Sequence, residues 1–344
     1  MSDDASDATE APPPRETTVL FGHPAAEGAL LDSYKSGRIP HAWLIGGEPG
    51  IGKATLAYRM ARFVLAYPDP LASAVQLATS LTLPAEHPVS RRVAAQAQSG
   101  LLVVERVVNE KTGKLFTEIR VEDVRRTVGF FGSTAEPGAW RIAIVDTVDE
   151  LNRFGANALL KVLEEPPERS LLLLISNTPG RVLATIRSRC RRLLLHPLDT
   201  AEVTRAVAAA TSRGAEDAEI IEASAAAGGS VARALALLDD KTRALRGRVL
   251  ELLAQLPDPD PRALHALGDA LGGSEPQTLA RFVDMINAFL SARLRTAPGT
   301  QQQNRLALAF DKINRAARDA EAYNLERKPL VFVVFGALAE VARA

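Results

Sequence analysis

The stretch from Ala42 to Tyr67 constrains this chain more than any other. Ala42-Trp43-Leu44-Ile45-Gly46 is a short apolar run, and Gly47-Glu48-Pro49-Gly50-Ile51-Gly52-Lys53-Ala54 follows it directly. Then ATLAYRMARFVLAY (54–67) continues without Gly or Pro and carries a helical apolar stripe. A buried strand, a glycine-rich turn and a helix in that order admit few folds, because such a strand needs helices on both faces of its sheet. The turn matches G-x-x-x-x-G-K-[ST] except at its last position. Gly47, Gly50 and Gly52 would let backbone N–H groups curl around a phosphate, and the helix N-terminus behind them favours negative charge. Lys53 would reach the outer phosphates. The last position, which offers a hydroxyl to Mg²⁺ in the full pattern, is Ala54. Thr55 is the nearest hydroxyl, about 100° further round the helix. ATP or ADP is the ligand class of such a loop; the plain alternative is a glycine-rich turn that holds nothing.

The surrounding pattern places this motif in a doubly wound α/β domain over residues 19–197. LLVVER (101–106), RIAIVD (141–146), LLLLIS (171–176) and RLLLH (192–196) read as buried parallel strands. Helical patterns separate them. VEDVRRTVGFF puts Val121, Val124, Val128 and Phe131 on one face, and ELNRFGANALLKVLEE (150–165) stops at Pro166-Pro167. Residues 68–99, with Pro68, Pro70, Pro84 and Pro88, read as an insertion or long connection. After Pro197 the strand signals end. Residues 198–241 predict a small helical lid domain broken at Gly228-Gly229. Residues 242–344 predict a helical C-terminal domain punctuated by PDPDP (257–261), GGSEP (272–276) and APGT (297–300). No internal repeat is present.

Charge and cysteine count narrow the function classes. Lys+Arg and Asp+Glu are both 41, so the formal net charge is zero, which argues against a free-standing nucleic-acid binder. Residues 1–18 hold five acids and one base and read as a disordered acidic tail. The remainder has 40 bases against 36 acids. Only eight of the basic residues are Lys, so planar donor forks outnumber point charges. The single cysteine, Cys190, excludes an internal disulfide and a thiolate zinc site. No apolar run reaches the ~18 residues of a membrane span. The N-terminus lacks the apolar core of a signal peptide, so a cytoplasmic location without membrane contact is expected.

A nucleotide-hydrolysing loop also needs an acid at the end of a neighbouring strand and a base that orients water. Asp146, closing RIAIVD, is the candidate acid for the Mg²⁺ side of the site. The next residue is Thr147, which accepts no proton at neutral pH. Asp149 lies three positions past Asp146 and is the alternative base. With Ala54 and Thr147 where they stand, two parts of the catalytic apparatus are missing, and an inactive ATPase is expected.

Three segments then carry a resemblance. IPHAWLIGGEPGIGKATLA, NALLKVLEEPPE and TIRSRCRRLLLHPL, in this order and spacing, resemble bacterial clamp-loader AAA+ subunits, and among them the delta-prime branch of DNA polymerase III. The likeness covers about residues 18–240. It implies a P-loop AAA+ domain, a lid, and a C-terminal helical collar that oligomerises. It implies that Arg189, in Ser188-Arg189-Cys190, is an arginine finger acting in trans on the ATP of an adjacent subunit. The plain alternative is a basic surface, since five Arg and no acid occupy 181–192. The likeness also places Asn177 at the polar sensor position after a strand, or simply in a turn before Pro179. It matches Gly229-Ser230-Val231-Ala232-Arg233 to a helix whose Arg233 meets the nucleotide or braces two domains. Partners implied are a gamma/tau-like motor, a delta-like wrench, the sliding clamp and primed DNA. Many relatives carry four cysteines in a zinc module; this chain lacks them, so no zinc or other metal is expected, and lone His41 and His87 are read as structural. Cys190 is expected to be packed. Rival readings are an active gamma/tau-like motor subunit and a binding module with structural nucleotide.

Overall fold

The structure, a computed structural model, describes residues 12–109, 115–132, 138–272, 276–297, 299–323 and 325–343. The chain divides into two compact units, Met1–Ala236 and Leu237–Ala344. The helices expected as a separate lid thus fall almost wholly within the first unit. Of the expected tail, residues 1–11 lie outside the described residues.

The first unit begins with α1 (Pro24–Lys35), β1 (Ala42–Gly46) and α2 (Lys53–Ala66). The stretch 68–99 contains two short helices, α3 (Ser73–Leu77) and α4 (Pro88–Ala94). Then follow β2 (Leu101–Glu105), α5 (Val121–Gly132), β3 (Arg141–Asp146), a single 3-10 turn (Val148–Glu150), α6 (Arg153–Glu164) and β4 (Ser170–Ser176). The series ends with α7 (Ala184–Arg187), β5 (Arg191–Leu194), α8 (Thr200–Thr211), α9 (Ala218–Ala226) and α10 (Val231–Leu238). All five strands are parallel, in the order β2-β3-β4-β1-β5.

The continuous apolar runs serve both faces of this sheet. Trp43, Ile45, Ile142, Ile144, Leu171, Leu173 and Ile175 face a core shared with α1 and α2. Their alternates Ala42, Leu44, Ala143, Val145, Leu172 and Leu174 face a second core that includes Val124 and Phe131 of α5, Leu159 of α6 and Ile186 of α7. Successive side chains of a strand point to opposite faces, so a strand buried on both sides cannot alternate in polarity. On α5 the expected stripe differs at one place. Val124, Thr127 and Phe131 are buried, whereas Val128 is exposed. Thr127 is accommodated because its Oγ1 donates to Val124 O at 2.6 Å. Cys190 is half-buried against the second core, and desolvation pushes its thiol up to about 12, where it is not reactive at neutral pH.

Residues 12–18 differ from the expected disordered tail. Buried Arg62 donates to Thr17 O at 3.0 Å and to Arg15 O, and buried Arg59 donates to Thr18 O. A buried guanidinium must find acceptors, and these backbone carbonyls supply them. The second unit is helical: α11 (Asp240–Ala254), α12 (Pro261–Gly272), α13 (Pro276–Thr296), α14 (Thr300–Ala322) and α15 (Arg327–Arg343). Its own core includes Phe282, Ile286, Ile313, Val331, Val334 and Phe335. Asn287 of α13 and Asn314 of α14 exchange amide hydrogen bonds of 3.0 and 2.9 Å across this core. Among the described residues no helix is long and apolar enough to cross a membrane.

Candidate functional site

The parallel register brings the C-terminal ends of four strands to one edge. Gly46 pairs with Ser176 and Leu194, and Asp146 pairs with Ile175. Ligands of open α/β sheets bind at this edge, where loops diverge to opposite faces. A cavity of about 550 Å³ opens there. Gly50, Gly52, Lys53, Ala54, Thr55, Asp146 and Asn177 line it, so seven positions from three chain segments meet. The wall is completed by Pro12–Pro14 and Glu16–Phe21, by Leu198 and α8, and by Val231, Ala232 and Leu235 of α10. A cavity of this size holds a nucleotide.

The loop is shaped by positive backbone angles that suit glycine. Gly52 has φ 100° and sits at the N-terminus of α2, leaving the first N–H groups of the helix directed at the cavity. Gly50 has φ 75°, and a Cβ there would lie 2.4 Å from Ser230 Oγ and 2.6 Å from Ala232 Cβ. The reason for that closeness is a direct staple. Ser230 Oγ donates to Pro49 O at 2.9 Å, and Ala232 N donates to Gly50 O at 3.3 Å. The start of α10 is therefore bonded to the carbonyl side of the loop, leaving the N–H side to the cavity. On the opposite flank His23 Nε2 is 2.8 Å from Ile51 O. Burial lowers the pKa of this imidazole, which keeps it neutral at pH 7.

Lys53 and Asp146 face one another across the cavity under strong desolvation. Burial draws the Lys53 ammonium down to about 8, against the pull of Asp146, Asp149 and Glu48. Its Nζ donates to Glu48 O at 2.6 Å, back onto its own loop. Burial and the adjacent Glu105 push the Asp146 carboxyl up to about 6, against Lys53. Thr147 is buried and lines the cavity, and its Oγ1 has no hydrogen-bond partner. Asp149 is fully engaged: Ser176 Oγ donates to it at 2.8 Å, Thr178 Oγ1 at 2.9 Å and Asn177 N at 2.5 Å. It ties the end of β3 to the end of β4 and sets the position of Asn177.

The residues fit the phosphates of a nucleotide: the N–H groups at the start of α2 and the Lys53 ammonium converge on the cavity. They do not fit Mg²⁺ held by the loop in the way the full pattern holds it, because Ala54 offers no oxygen. Among the described residues no group of three or more His, Cys, Asp or Glu is arranged to hold a metal ion.

Two other predicted positions lie elsewhere, and one lies behind the loop. Arg233 does not line the cavity: its guanidinium donates to Ala227 O at 3.2 Å, closing the turn before α10. Gly47 sits behind the lining residues, its N donating to Ser176 O at 3.2 Å. Arg189 follows α7 and is half-exposed; it pairs with Glu164 at 2.9 Å and donates to Thr185 O at 3.0 Å. It takes no part in this chain's own cavity. The residues missed from sequence are Ser230, His23 and the 12–21 segment. Only Ser230 had a signal, its place in the Gly-Ser-x-x-Arg stretch; the others are fixed by long-range contacts.

The glycine-loop strand lies between β4 and β5, with the acid-bearing β3 beyond β4 and a lid helix seated on the loop. That arrangement defines a P-loop protein of the AAA+ type. The family model described as "DNA polymerase III, delta subunit" matches residues 22–199, and the chain belongs to that family. It is 37% identical over 150 residues to the DNA polymerase III subunit delta' of Pseudomonas aeruginosa, covering 44% of this chain and 41% of that protein. It is 34% identical over 170 residues to the DNA polymerase III subunit delta' of Escherichia coli K12, covering 49% and 46%. It is 26% identical over 281 residues to the DNA polymerase III subunit tau/gamma of Haemophilus influenzae, covering 79% and 38%. The chain thus spans less than half the length of each of these relatives.

Proposed function

We propose that this chain is a delta-prime-like clamp-loader subunit of DNA polymerase III that turns over no ATP itself and lends Arg189 to the nucleotide of an adjacent subunit. One observation carries the first half. Asp149, the alternative base, is taken up by three donors from the end of β4, which turns it from orienting water to tying two strand ends together. Ala54 and Thr147 add to this. The second half is supported by the placement of Arg189 outside its own cavity, on a half-exposed turn. The wider partners follow from the family: motor and wrench subunits, and through them the sliding clamp and primed DNA. The motor-subunit reading draws on the tau/gamma likeness, which spans more of the chain at lower identity.

A purified sample separates the two. The chain alone, with or without DNA, is expected to release no phosphate from ATP above background. Steady turnover abolished by Lys53→Ala would establish the motor reading instead.

The loop retains the parts that bind, so ATP or ADP remains its candidate ligand, and the pKa values set a sign. Lys53 is charged below about pH 8 and loses its attraction for phosphate as pH rises through that value. Asp146 is neutral below about pH 6 and repels phosphate above it. Both effects favour binding at lower pH. Equilibrium dialysis of labelled ADP in EDTA is expected to give about tenfold tighter binding at pH 6 than at pH 9, the size of one charged hydrogen bond. Adding Mg²⁺ should leave the affinity within about twofold, since no loop hydroxyl receives it. A Mg²⁺ requirement would contradict the role assigned to Ala54.

A further inference from the structure

The side chain on which the proposed function turns is already occupied. Arg189 Nη2 lies 2.9 Å from Glu164 Oε1, and Nη1 donates to Thr185 O at 3.0 Å. Thr185 is four residues earlier, so the guanidinium is folded back over its own turn rather than extended from it. Glu164 is the last residue of α6, where unsatisfied carbonyls already favour a cation. Glu164 and Arg189 are 50% and 37% exposed, so an incoming group can reach the pair.

We infer that Glu164 is a positioning residue whose carboxylate holds the Arg189 finger withdrawn until the polyphosphate of a neighbouring subunit's nucleotide replaces it. This rests on the reading of Arg189 as a finger in trans. A carboxylate oxygen and a phosphate oxygen accept from the same guanidinium N–H, so a phosphate can take the place of Glu164 Oε1 at Nη2 without new donors. The strength is also suited to exchange. An exposed ion pair contributes about 0–1 kcal/mol, enough to bias the rotamer and too little to resist a multiply charged phosphate. The Thr185 carbonyl is neutral and sets the folded-back orientation. Glu164 therefore lowers the fraction of subunits whose finger is available, and a competent fraction below one weakens apparent affinity in proportion.

The test is steady-state ATP turnover by the reconstituted complex on primed DNA, with Glu164→Ala, Glu164→Gln and Arg189→Ala in this subunit. In the component of turnover that Arg189→Ala removes, both Glu164 variants are expected to lower the half-saturating ATP concentration by up to about fivefold at low salt, with kcat within about twofold. Gln should act as Ala does, because the charge is what is removed. Raising the salt should narrow the gap to wild type as the pair is screened. An unchanged half-saturation at low salt, while Arg189→Ala is impaired, overturns the latch and leaves the finger reading intact. A fall in kcat also overturns it, since Glu164 would then be placing the finger for reaction. Unimpaired Arg189→Ala overturns the finger reading itself.

Discussion

Replacing Arg189 with Ala is expected to slow hydrolysis at the one ATP site it faces in the assembled complex by about 10³-fold or more, with assembly unchanged. An arginine supplied from a neighbouring chain neutralises charge that develops on the transferred phosphoryl group, and such fingers contribute roughly 10³–10⁵ in rate. The total turnover of a ring with several active sites falls by the share of that one site. The loss appears in kcat at saturating ATP, and because the same guanidinium also meets the bound polyphosphate, the half-saturating ATP concentration rises with it. Arg189→Lys keeps the charge and loses the planar fork, and it should recover only a minor part of the rate. The side chain is half-exposed and engaged by one surface ion pair and one carbonyl, so its removal costs little stability. DNA-stimulated turnover that is unchanged in Arg189→Ala would remove the central claim. Stability of the variant, followed by thermal unfolding, keeps a folding defect from being mistaken for a catalytic one.

The second large effect is on stability, from Glu27→Ala. Arg59 is 5% exposed on α2, and its guanidinium donates to Glu27 Oε1, to Thr82 Oγ1 at 2.9 Å and to Thr18 O. Glu27 of α1 also accepts Leu81 N at 2.9 Å. One carboxylate thus joins α1, α2, the 68–99 connection and, through Arg59, the N-terminal segment. Removing it strands a buried cation, which typically costs about 3–5 kcal/mol. For a unit of this size that is a fall of about 10 °C in Tm. Glu27→Gln keeps an acceptor oxygen and should lose roughly half as much. Because Arg59 and Arg62 hold residues 15–18, Glu27→Ala should also open the N-terminal wall of the cavity to protease. A loss under about 1 kcal/mol by urea unfolding would show that the pair is not the junction described.

Much of the fold was legible along the chain because its signals are local. A strand buried on both faces must be continuously apolar, and RIAIVD and LLLLIS satisfy that with no partner in view. The glycine turn is equally local, since a positive φ at Gly50 and Gly52 needs glycine wherever the turn sits. The acid at the end of β3 followed from its place at the end of an apolar run. Val128 was misjudged because periodicity marks a stripe about one face wide and cannot say where its edge meets solvent. Residues 12–18 were misjudged because acid and proline content describes the segment itself, whereas its fate was set by two buried arginines more than 40 positions away.

The candidate site divides the same way. The amino-acid sequence alone determined which chemistry is present and which is missing: a phosphate loop with Lys53, an acid in Asp146, no hydroxyl at position 54, no base at 147, and an arginine in Ser-Arg-Cys. These are properties of residue type, and residue type does not depend on packing. Only the tertiary structure decided what each group is free to do. It bound Asp149 to the end of β4, stapled Ser230 to Pro49, turned Arg233 onto Ala227 and set Arg189 against Glu164. The physical reason is that hydrogen bonds and ion pairs act over about 3 Å. Distances that short between residues far apart in the chain exist only once the sheet has brought its strand ends together.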